Sequence, residues 1–242
     1  MRSLRIRHAD AVTDSAACAE IYAPFVENSP VSFEERPPDA HELGRRIELT
    51  SRTHPWLVAQ VDDRVVGYAY ATSHRPRAAY QWAADVAVYV APDQRRQGVG
   101  RALYGALLPL LVRQGLRIAC AGIALPNDAS VALHELCGFE PVGVYRRIGW
   151  KAGAWRDVGW WQAELVEPSP GRPPEPGRPA RLVLDRDRDT NANTAADADA
   201  DPGTDANRDA TTPRRGSAPA SGTRRPHGAP APPDPVAPGP RR

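Results

Sequence analysis

The chain has 242 residues, and its 31 basic and 29 acidic side chains leave a formal charge of only +2. This balance offers no basic stripe, so we expect no nucleic-acid partner. The longest apolar run, ALYGALLPLLV, is too short to cross a bilayer, and the basic start of the chain lacks the apolar stretch of a secretory signal. Its three widely spaced cysteines suit a reducing compartment. We therefore expect a cytoplasmic protein with no membrane partner and no metal site.

The composition changes near residue 167. From there to residue 242 the chain has no aromatic residue, and Pro, Ala, Asp and Arg dominate. A segment of this composition cannot bury enough apolar surface to offset its ordering entropy. We predict one folded domain, residues 1–166, followed by a disordered tail, residues 167–242.

The first part of the domain predicts a strand, two helices and a hairpin. Alternation in LRIRHA, residues 4–9, indicates a strand, and an amphipathic helical stretch begins at Asp10. A second helical stretch covers residues 39–52. Two strand-like runs, WLVAQV and RVVGYAYA, flank Asp62 and Asp63, which is typical of a β-hairpin.

The second part alternates strands with helices. YQWAADVAVYV predicts a strand, and VGRALYGALLPLLVRQG predicts a helix with Gly115 at its end, which Pro109 should kink or shorten because it removes a backbone hydrogen bond. LRIACAGIAL predicts a strand and NDASVALHELCGF a short helix, while EPVGVYRRIGW and AWRDVGWWQAEL predict two closing strands. This order indicates a mixed α/β fold with a partly antiparallel sheet.

The run RRQGVG joins a predicted strand to a predicted helix. Backbone N–H groups at a helix N-terminus have no helical partner and lie at the positive end of the dipole, which suits an anion such as phosphate. Gly98 and Gly100 would let a pyrophosphate approach the backbone, and Arg95 and Arg96 would add charge. The run is neither a Walker A loop nor a GxGxxG fingerprint, and by itself it could equally be a glycine-relieved turn.

Two motifs carry a resemblance to a known family. Arg95-x-x-Gly98-x-Gly100 after VYV resembles the acetyl-coenzyme A loop of the GNAT superfamily of N-acetyltransferases, and NDASVALHELCGF resembles their Asn-led helix ending in Gly-Phe. Within that superfamily, HPWLVAQVDDRVVGYAYA and GWKAGAWRDVGWWQ are similar to the phosphinothricin and methionine sulfone acetyltransferases. The resemblance covers about residues 3–166. It implies an α/β fold of the α+β type, with a mixed, mostly antiparallel sheet whose fourth and fifth strands splay apart, flanked by helices.

The resemblance also implies acetyl-CoA as cosubstrate. Its pantetheine arm would lie between the splayed strands, where a backbone N–H would polarise the thioester carbonyl. Its pyrophosphate would lie on the glycine loop, and Asn127, which also suits a helix cap, would contact the pantetheine. The implied cofactor-binding residues are Val88, Tyr89, Val90, Arg95, Arg96, Gln97, Gly98, Val99, Gly100, Asn127 and Ser130.

Amide formation needs a neutral amine, so a base must first take a proton from the ammonium group. The resemblance places Asp85 where related enzymes carry a glutamate; it is one methylene shorter, and a bridging water would restore its reach. His134 lies five residues before Phe139, where many members carry a tyrosine that protonates the departing thiolate. These are the predicted catalytic residues. Asp85 as a strand residue that only hydrogen-bonds a loop, and His134 as a structural histidine, stay open.

The acceptor is expected to be small and anionic. The resemblance places Arg77 and Tyr80 where relatives bind a carboxylate or phosphinate, and an arginine fork suits both groups. Phe33 and Glu34 could wall the other side of the pocket or simply pack a loop. Lys151, the only lysine of the chain, lies in GWKAGAW, as in the family.

These features predict acetyl transfer from acetyl-CoA to the α-amine of phosphinothricin or a similar amino acid, such as methionine sulfone or sulfoximine, without a metal. No base is paired with Cys120 or Cys137 in the motifs, so we expect direct transfer in a ternary complex rather than an acetyl-cysteine intermediate. We also expect a homodimer. Two alternatives stay open: acetylation of another amine, such as a polyamine, a hydrazide or a protein N-terminus, and a non-catalytic acyl-CoA-binding module.

Overall fold

The structure is a computed structural model, and it describes residues 3–168 and 170–181. The α-helices of this part are Ser15–Glu27 (α1), Ala40–Ser51 (α2), Val99–Gln114 (α3) and Asp128–Leu136 (α4). The strands are Leu4–His8 (β1), Trp56–Val61 (β2), Arg64–Ser73 (β3), Ala83–Val90 (β4), Ile118–Leu125 (β5), Glu140–Lys151 (β6) and Ala154–Glu164 (β7). In the described ranges, no helix is both long and apolar enough to span a membrane.

The strands form one sheet in the order β1-β2-β3-β4-β5-β7-β6. Neighbouring strands are antiparallel except β4 and β5, which are parallel because α3 connects them and returns the chain to the same end of the sheet. The order of elements and the mixed, mostly antiparallel sheet confirm the predicted fold class.

The parallel pair is short. β4 and β5 are paired only from Ala83 to Asp85, opposite Ile118 to Cys120. β4 then continues to Val90 beside β3, whereas β5 continues to Leu125 beside β7. Beyond Asp85 the two strands therefore diverge, and the β4 backbone groups on that side have no ladder partner. This confirms the predicted splay.

Alternation along β3 divides the core between the two faces of the sheet. Tyr68 and Tyr70 point toward α1 and α2, whose buried face includes Leu43. Ala69 and Ala71 point to the opposite face, where α3 packs its leucines. Small side chains toward α3 and aromatic ones toward α1 and α2 set how closely the helices approach each face.

The structure differs from two local expectations. The helix expected from Asp10 begins only at Ser15, because the Asp10 carboxylate accepts the backbone N–H groups two and three residues later and closes a turn. Helix α3 is not shortened by Pro109: it continues to Gln114 and ends at Gly115, as expected for that glycine.

Residues 170–181 lie against the sheet and α3. The Trp82 indole N–H donates to the Pro174 carbonyl at 2.8 Å, and the backbone N–H of Gly177 donates to the Gln114 carbonyl at 2.7 Å. Packing thus continues beyond residue 166, where the composition predicts the end of the domain. The segment has no aromatic residue of its own, but it packs against Trp82 of the domain. The rest of the predicted tail lies outside the described residues.

Candidate active site

The glycine loop leads directly into α3. Gly98 precedes the helix with φ 80° and ψ −1°, a left-handed conformation that glycine adopts without steric cost. The first intrahelical bond runs from the Ala102 N–H to the Gly98 carbonyl at 2.9 Å. The N–H groups of the helix residues before Ala102 therefore have no partner within the helix and can donate to an anion.

Gly98 and Gly100 have different surroundings. A Cβ added to Gly98 would meet no atom within 4 Å, so this face of the loop is open to a ligand. A Cβ added to Gly100 would lie 2.9 Å from the Leu133 Cδ2 atom of α4. Gly98 thus provides the open approach, and Gly100 allows α3 and α4 to pack closely.

The charged and polar residues of the loop are partly fixed by neighbours. The Arg95 guanidinium carbon lies 5.1 Å from the centroid of the Phe25 ring, a cation–π contact with α1. The Gln97 side-chain amide donates to the Asp93 carbonyl at 3.0 Å. Arg95 and Arg96 are exposed at the rim, so the loop combines backbone donors with positive charge, as a pyrophosphate requires.

The strand residues predicted to hold pantetheine can offer it only their backbone. Tyr89 turns its ring toward α1, 4.8 Å from Tyr22 and 5.1 Å from Phe25 between centroids, while Val88 and Val90 pack on the α3 side of the sheet. All three lie past the point where β4 leaves β5. Hydrogen bonds alternate along the antiparallel β3–β4 ladder, so the backbone groups of Tyr89 face β3, whereas those of Val88 and Val90 face the slit. These free amide and carbonyl groups suit the amides of a pantetheine arm, so the slit fits acetyl-CoA.

Asn127 caps α4. Its side-chain oxygen accepts the backbone N–H of Ser130 at 3.3 Å, which agrees with the capping role expected from the sequence. Contact of Asn127 or Ser130 with pantetheine stays a prediction.

His134 is buried, with 4% of its surface exposed, and both ring nitrogens have partners. Nδ1 donates to the Ser130 carbonyl at 2.7 Å, and Nε2 lies 2.9 Å from the Tyr104 hydroxyl, which therefore donates to it. Burial lowers the pKa of His134. This is the geometry of a packed neutral imidazole, and protonation of the thiolate by His134 stays a prediction.

Asp85 is the last residue of β4 that pairs with β5. Its Oδ1 atom lies 2.6 Å from Nδ1 of His74, the residue that follows β3. Burial raises the pKa of Asp85, and the hydrogen bond from His74 acts in the opposite direction. The Cys120 sulfur, from the facing strand, lies with the His74 nitrogen and an Asp85 oxygen in a group whose atoms are all within 4.8 Å of one another.

Aromatic and cationic groups from other elements surround this pair. The Trp160 ring of β7 lies edge-on to His74, with 6.0 Å between centroids, and the Arg75 guanidinium carbon lies 5.9 Å from the Trp160 centroid. The Trp160 indole N–H is buried and has no hydrogen-bond partner among the described residues. Sequence reasoning identified Asp85 but missed His74, Arg75 and Trp160, and it considered Cys120 only as a thiol without a paired base.

Two predicted acceptor-binding residues lie beside this group. Arg77 immediately precedes a short 3-10 helix, Ala78–Tyr80, and the Tyr80 ring lies 5.7 Å from that of His74. Arg77 and Tyr80 line a cavity of about 300 Å³. Arg75 and Pro176 also line it, so the C-terminal segment forms part of its wall.

Three other predicted acceptor-binding residues link the loop between α1 and α2 to β6. Lys151 Nζ donates to the backbone carbonyl of Glu34 at 2.5 Å, and the Phe33 ring lies so close to Gly149 that a Cβ there would be 2.2 Å from it. The Glu34 carboxylate accepts from Arg46 at 2.7 Å, and this bond lowers the pKa of Glu34. The loop between α1 and α2 is thereby fixed to β6.

A second cavity of about 270 Å³ lies on the α1 and α2 side of the sheet. Its walls are mainly aromatic, and Arg46 and Thr72 add polar groups. Thr72 is also the cross-strand partner of Asp85, so this cavity reaches the strand position next to the carboxylate.

The sequence signature of the Acetyltransferase (GNAT) domain family matches residues 8–160. This chain belongs to the GNAT acetyltransferase family. The phosphinothricin N-acetyltransferase of Streptomyces viridochromogenes is 41% identical to it over 72% of this chain and 95% of that relative. The L-methionine sulfoximine/L-methionine sulfone acetyltransferase of Pseudomonas aeruginosa is 34% identical over 64% of this chain and 91% of its own length.

The fold comparison agrees. The solved structure of a GNAT superfamily phosphinothricin acetyltransferase from Sinorhizobium meliloti, in complex with acetyl-CoA, matches with a TM-score of 0.67 and 34% identity. The match covers 72% of this chain and 94% of that structure. The family resemblance, the fold and the acetyltransferase class predicted from the sequence are confirmed.

Proposed function

We propose that this GNAT acetyltransferase transfers the acetyl group of acetyl-CoA to the α-amine of phosphinothricin or of a similar amino acid, such as methionine sulfone or sulfoximine. One observation carries the proposal: the Asp85 carboxylate lies at the residue where β4 leaves β5, where a thioester held between the strands would meet its acceptor. Relatives named for these substrates support it.

Acetyl-CoA would be bound mainly by backbone groups. Its pyrophosphate would accept hydrogen bonds from the first turn of α3, with Gly98 leaving room and Arg95 and Arg96 adding charge. Its pantetheine would pair with β4 past Asp85. The reaction would use no metal, because a thioester is already reactive toward a neutral amine.

We propose direct transfer within a ternary complex. An acetyl-cysteine route needs a thiolate. Burial raises the pKa of the Cys120 thiol to about 11 and also raises that of Cys137. Both thiols stay protonated near neutral pH, so attack by the amine on the thioester is the simpler route.

The acceptor would lie between the arginines and Asp85. Arg77 and Arg75 line the same cavity and would bind the acceptor's carboxylate or phosphinate, with Tyr80 between that group and His74. The amine would then point toward the carboxylate of Asp85. We propose that Phe33, Glu34 and Lys151 limit acceptor size through the loop that they fix.

We propose a homodimer formed through β6, which is an edge strand of the sheet. β6 and the start of β7 expose large apolar side chains: Val142 65%, Ile148 57%, Trp150 60% and Trp155 58%. A cluster of this kind at an unpaired sheet edge favours association. Sedimentation analysis of the full chain tests it.

The cysteines are all free thiols, as expected in a reducing compartment, and this supports a cytoplasmic location. In that compartment, acetylation would block the α-amine of phosphinothricin. We therefore also propose that the protein confers resistance to phosphinothricin as a herbicide.

Thiol release from acetyl-CoA tests the function. The full chain is assayed with phosphinothricin, methionine sulfone and methionine sulfoximine, and with a polyamine, a hydrazide and a peptide N-terminus. We expect the highest kcat/KM among the three amino acids. Preference for another amine would overturn the substrate assignment. Acetyl-CoA binding by calorimetry without thiol release would show an acyl-CoA-binding module instead.

A further inference from the structure

His74 belongs to no motif that the sequence singles out, yet it has the closest contact with Asp85. We propose that His74 takes the proton from the acceptor amine through Nε2 and that Asp85 is the positioning residue that holds its ring. This inference rests on the proposed function, since it names the proton acceptor of the same site.

Hydrogen bonding fixes which ring nitrogen is available. An ionised carboxylate only accepts hydrogen bonds, so the 2.6 Å contact places the proton on Nδ1 of His74 and leaves a lone pair on Nε2. Nε2 has no hydrogen-bond partner among the described residues. This differs from His134, whose two nitrogens are both occupied.

Packing fixes the ring without burying it fully. The rings of Tyr80 and Trp160 both contact it edge-on, at 5.7 Å and 6.0 Å between centroids. The side chain keeps 18% of its surface exposed. The imidazole side chain is longer than that of aspartate, so His74 can reach an amine that Asp85, one methylene shorter than the glutamate of related enzymes, cannot contact directly.

Four titratable groups face the His74 imidazole. They are Asp85 on β4, Cys120 on β5, Tyr80 on the short 3-10 helix and Arg75, which follows His74 in the chain. The Asp85 carboxylate and the Arg75 guanidinium are the charged members of this set. A neutral Cys120 thiol adds no charge.

The proposed step conserves atoms and charge. His74 Nε2 takes one proton from the ammonium group, and the resulting amine forms a bond to the acetyl carbon. The carbon–sulfur bond then breaks, and the second proton lost by the nitrogen goes to the coenzyme A thiolate. The imidazolium releases its proton to solvent. The products are the amide, free coenzyme A and one proton.

The sharpest variant is His74→Asn. Its side-chain amide can occupy the place of Nδ1 and donate to Asp85, but it has no nitrogen that accepts a proton. We expect kcat to fall by roughly 10²- to 10⁴-fold with the KM for acetyl-CoA unchanged. His41→Asn, on the exposed face of α2, is the control and should match wild type. Full activity of His74→Asn would overturn the proposal.

A pH profile separates proton transfer from simple packing. In the wild type, kcat/KM should fall on the acidic side as the group that takes the amine proton becomes protonated. His74→Asn should lack this acidic limb, because its side-chain amide has no nitrogen that accepts a proton. An acidic limb that is the same in wild type and His74→Asn would assign the limb to another group and overturn the proposal.

A third measurement does not depend on the acceptor. Nitrogen-detected NMR of the labelled full chain, with the His74 signals assigned by comparison with His74→Asn, reports which nitrogen carries the proton. We expect protonated Nδ1 and unprotonated Nε2 at neutral pH. The reverse tautomer would overturn this inference even if phosphinothricin is acetylated. The expected tautomer without acetylation of any amine would instead count against the proposed function alone.

Discussion

The two sides of the slit between β4 and β5 are built from different parts of the chain. On the side proposed for acetyl-CoA, the available groups are the backbone of the Gly98 loop, the start of α3 and the free edge of β4. On the side proposed for the acceptor, they are side chains of Asp85, His74 and Trp160, which come from three separate strands or strand ends. A backbone site depends on conformation, whereas a side-chain site depends on each functional group. Substitutions on the two sides should therefore change different kinetic constants.

The largest effect is expected from Asp85→Asn. Asn keeps the shape and removes the charge, so kcat should fall by roughly 10²- to 10⁴-fold, while the KM for acetyl-CoA stays near its wild-type value. Steady-state kinetics with phosphinothricin measure both constants. Asp63→Asn, in the turn between β2 and β3, is the matched control. A large rise in the acetyl-CoA KM of Asp85→Asn would contradict the separation of the two sides.

Asp85→Glu refines the same test. The longer carboxylate keeps its charge but extends into the space of the His74 ring, so we expect a smaller loss of kcat than in Asp85→Asn. Activity above wild type, together with an active His74→Asn, would instead show that the carboxylate takes the proton itself.

The next effect is expected on the acetyl-CoA side, in Gly98→Ala. A left-handed conformation costs a residue with a Cβ about 1–2 kcal/mol, so the KM for acetyl-CoA should rise roughly 5- to 30-fold with a smaller change in kcat. Gly105→Ala is the matched control, because a Cβ there also meets nothing within 4 Å and its φ is ordinary for a helix. Equal effects of the two substitutions would show that the loop conformation does not matter for binding.

A His134 variant tests whether this buried side chain affects only the stability of the fold or also the reaction. Burial lowers its pKa, so the unfolded chain, with a histidine pKa of about 6.5, binds a proton that the folded chain resists. Neutral His134 therefore stabilises the folded chain fully above about pH 6.5. This stabilisation is lost as the pH falls toward and through the lowered pKa of His134 in the folded state. The fall in Tm between pH 7.5 and 5.5 should be smaller in His134→Gln than in wild type. Normal Tm values together with a large loss of kcat in His134→Gln would instead indicate that His134 takes part in catalysis.

The smallest effect is expected from truncation. A chain ending at Glu167 should fold, but it loses the bonds to Trp82 and Gln114 and one wall of the cavity around Arg77. The KM for the amine should rise by roughly two- to tenfold, equivalent to one net hydrogen bond, with acetyl-CoA binding unchanged. A chain ending at Arg181 is the control and should match the full chain. A truncated chain without cooperative unfolding would show that the domain needs this segment.

What could be predicted from the sequence is mostly local. The Gly98 turn, the Asn127 cap and the order of helices and strands each depend on residues within a few positions of one another. Asp85 was identified by its place in a motif. The splay between β4 and β5 came from the family resemblance and not from the residues alone.

The parts of the site that could not be predicted depend on strand register between segments that are distant in sequence. His74 lies in the polar run TSHRPRAA and reaches Asp85 only because Thr72 and Asp85 pair across β3 and β4. The one signal was the alternation of β3, which puts position 74 on the same face as Tyr70 and Thr72 if the strand is extended. The contacts of residues 170–181 could not be predicted, because the composition of this segment does not show that Trp82 and Gln114 of the domain bind it.

The contact between Lys151 and the Glu34 carbonyl has a practical consequence for chemical labelling. Because the chain has one lysine, amine-directed reagents have a single side-chain target apart from any terminal amine. That amine is engaged by the loop between α1 and α2, so its rate of modification reports how often the loop opens from β6. A fluorophore or surface linker attached there would sit at one defined place on every molecule. A protein that handles an activated acetyl group also offers that group very few amines of its own.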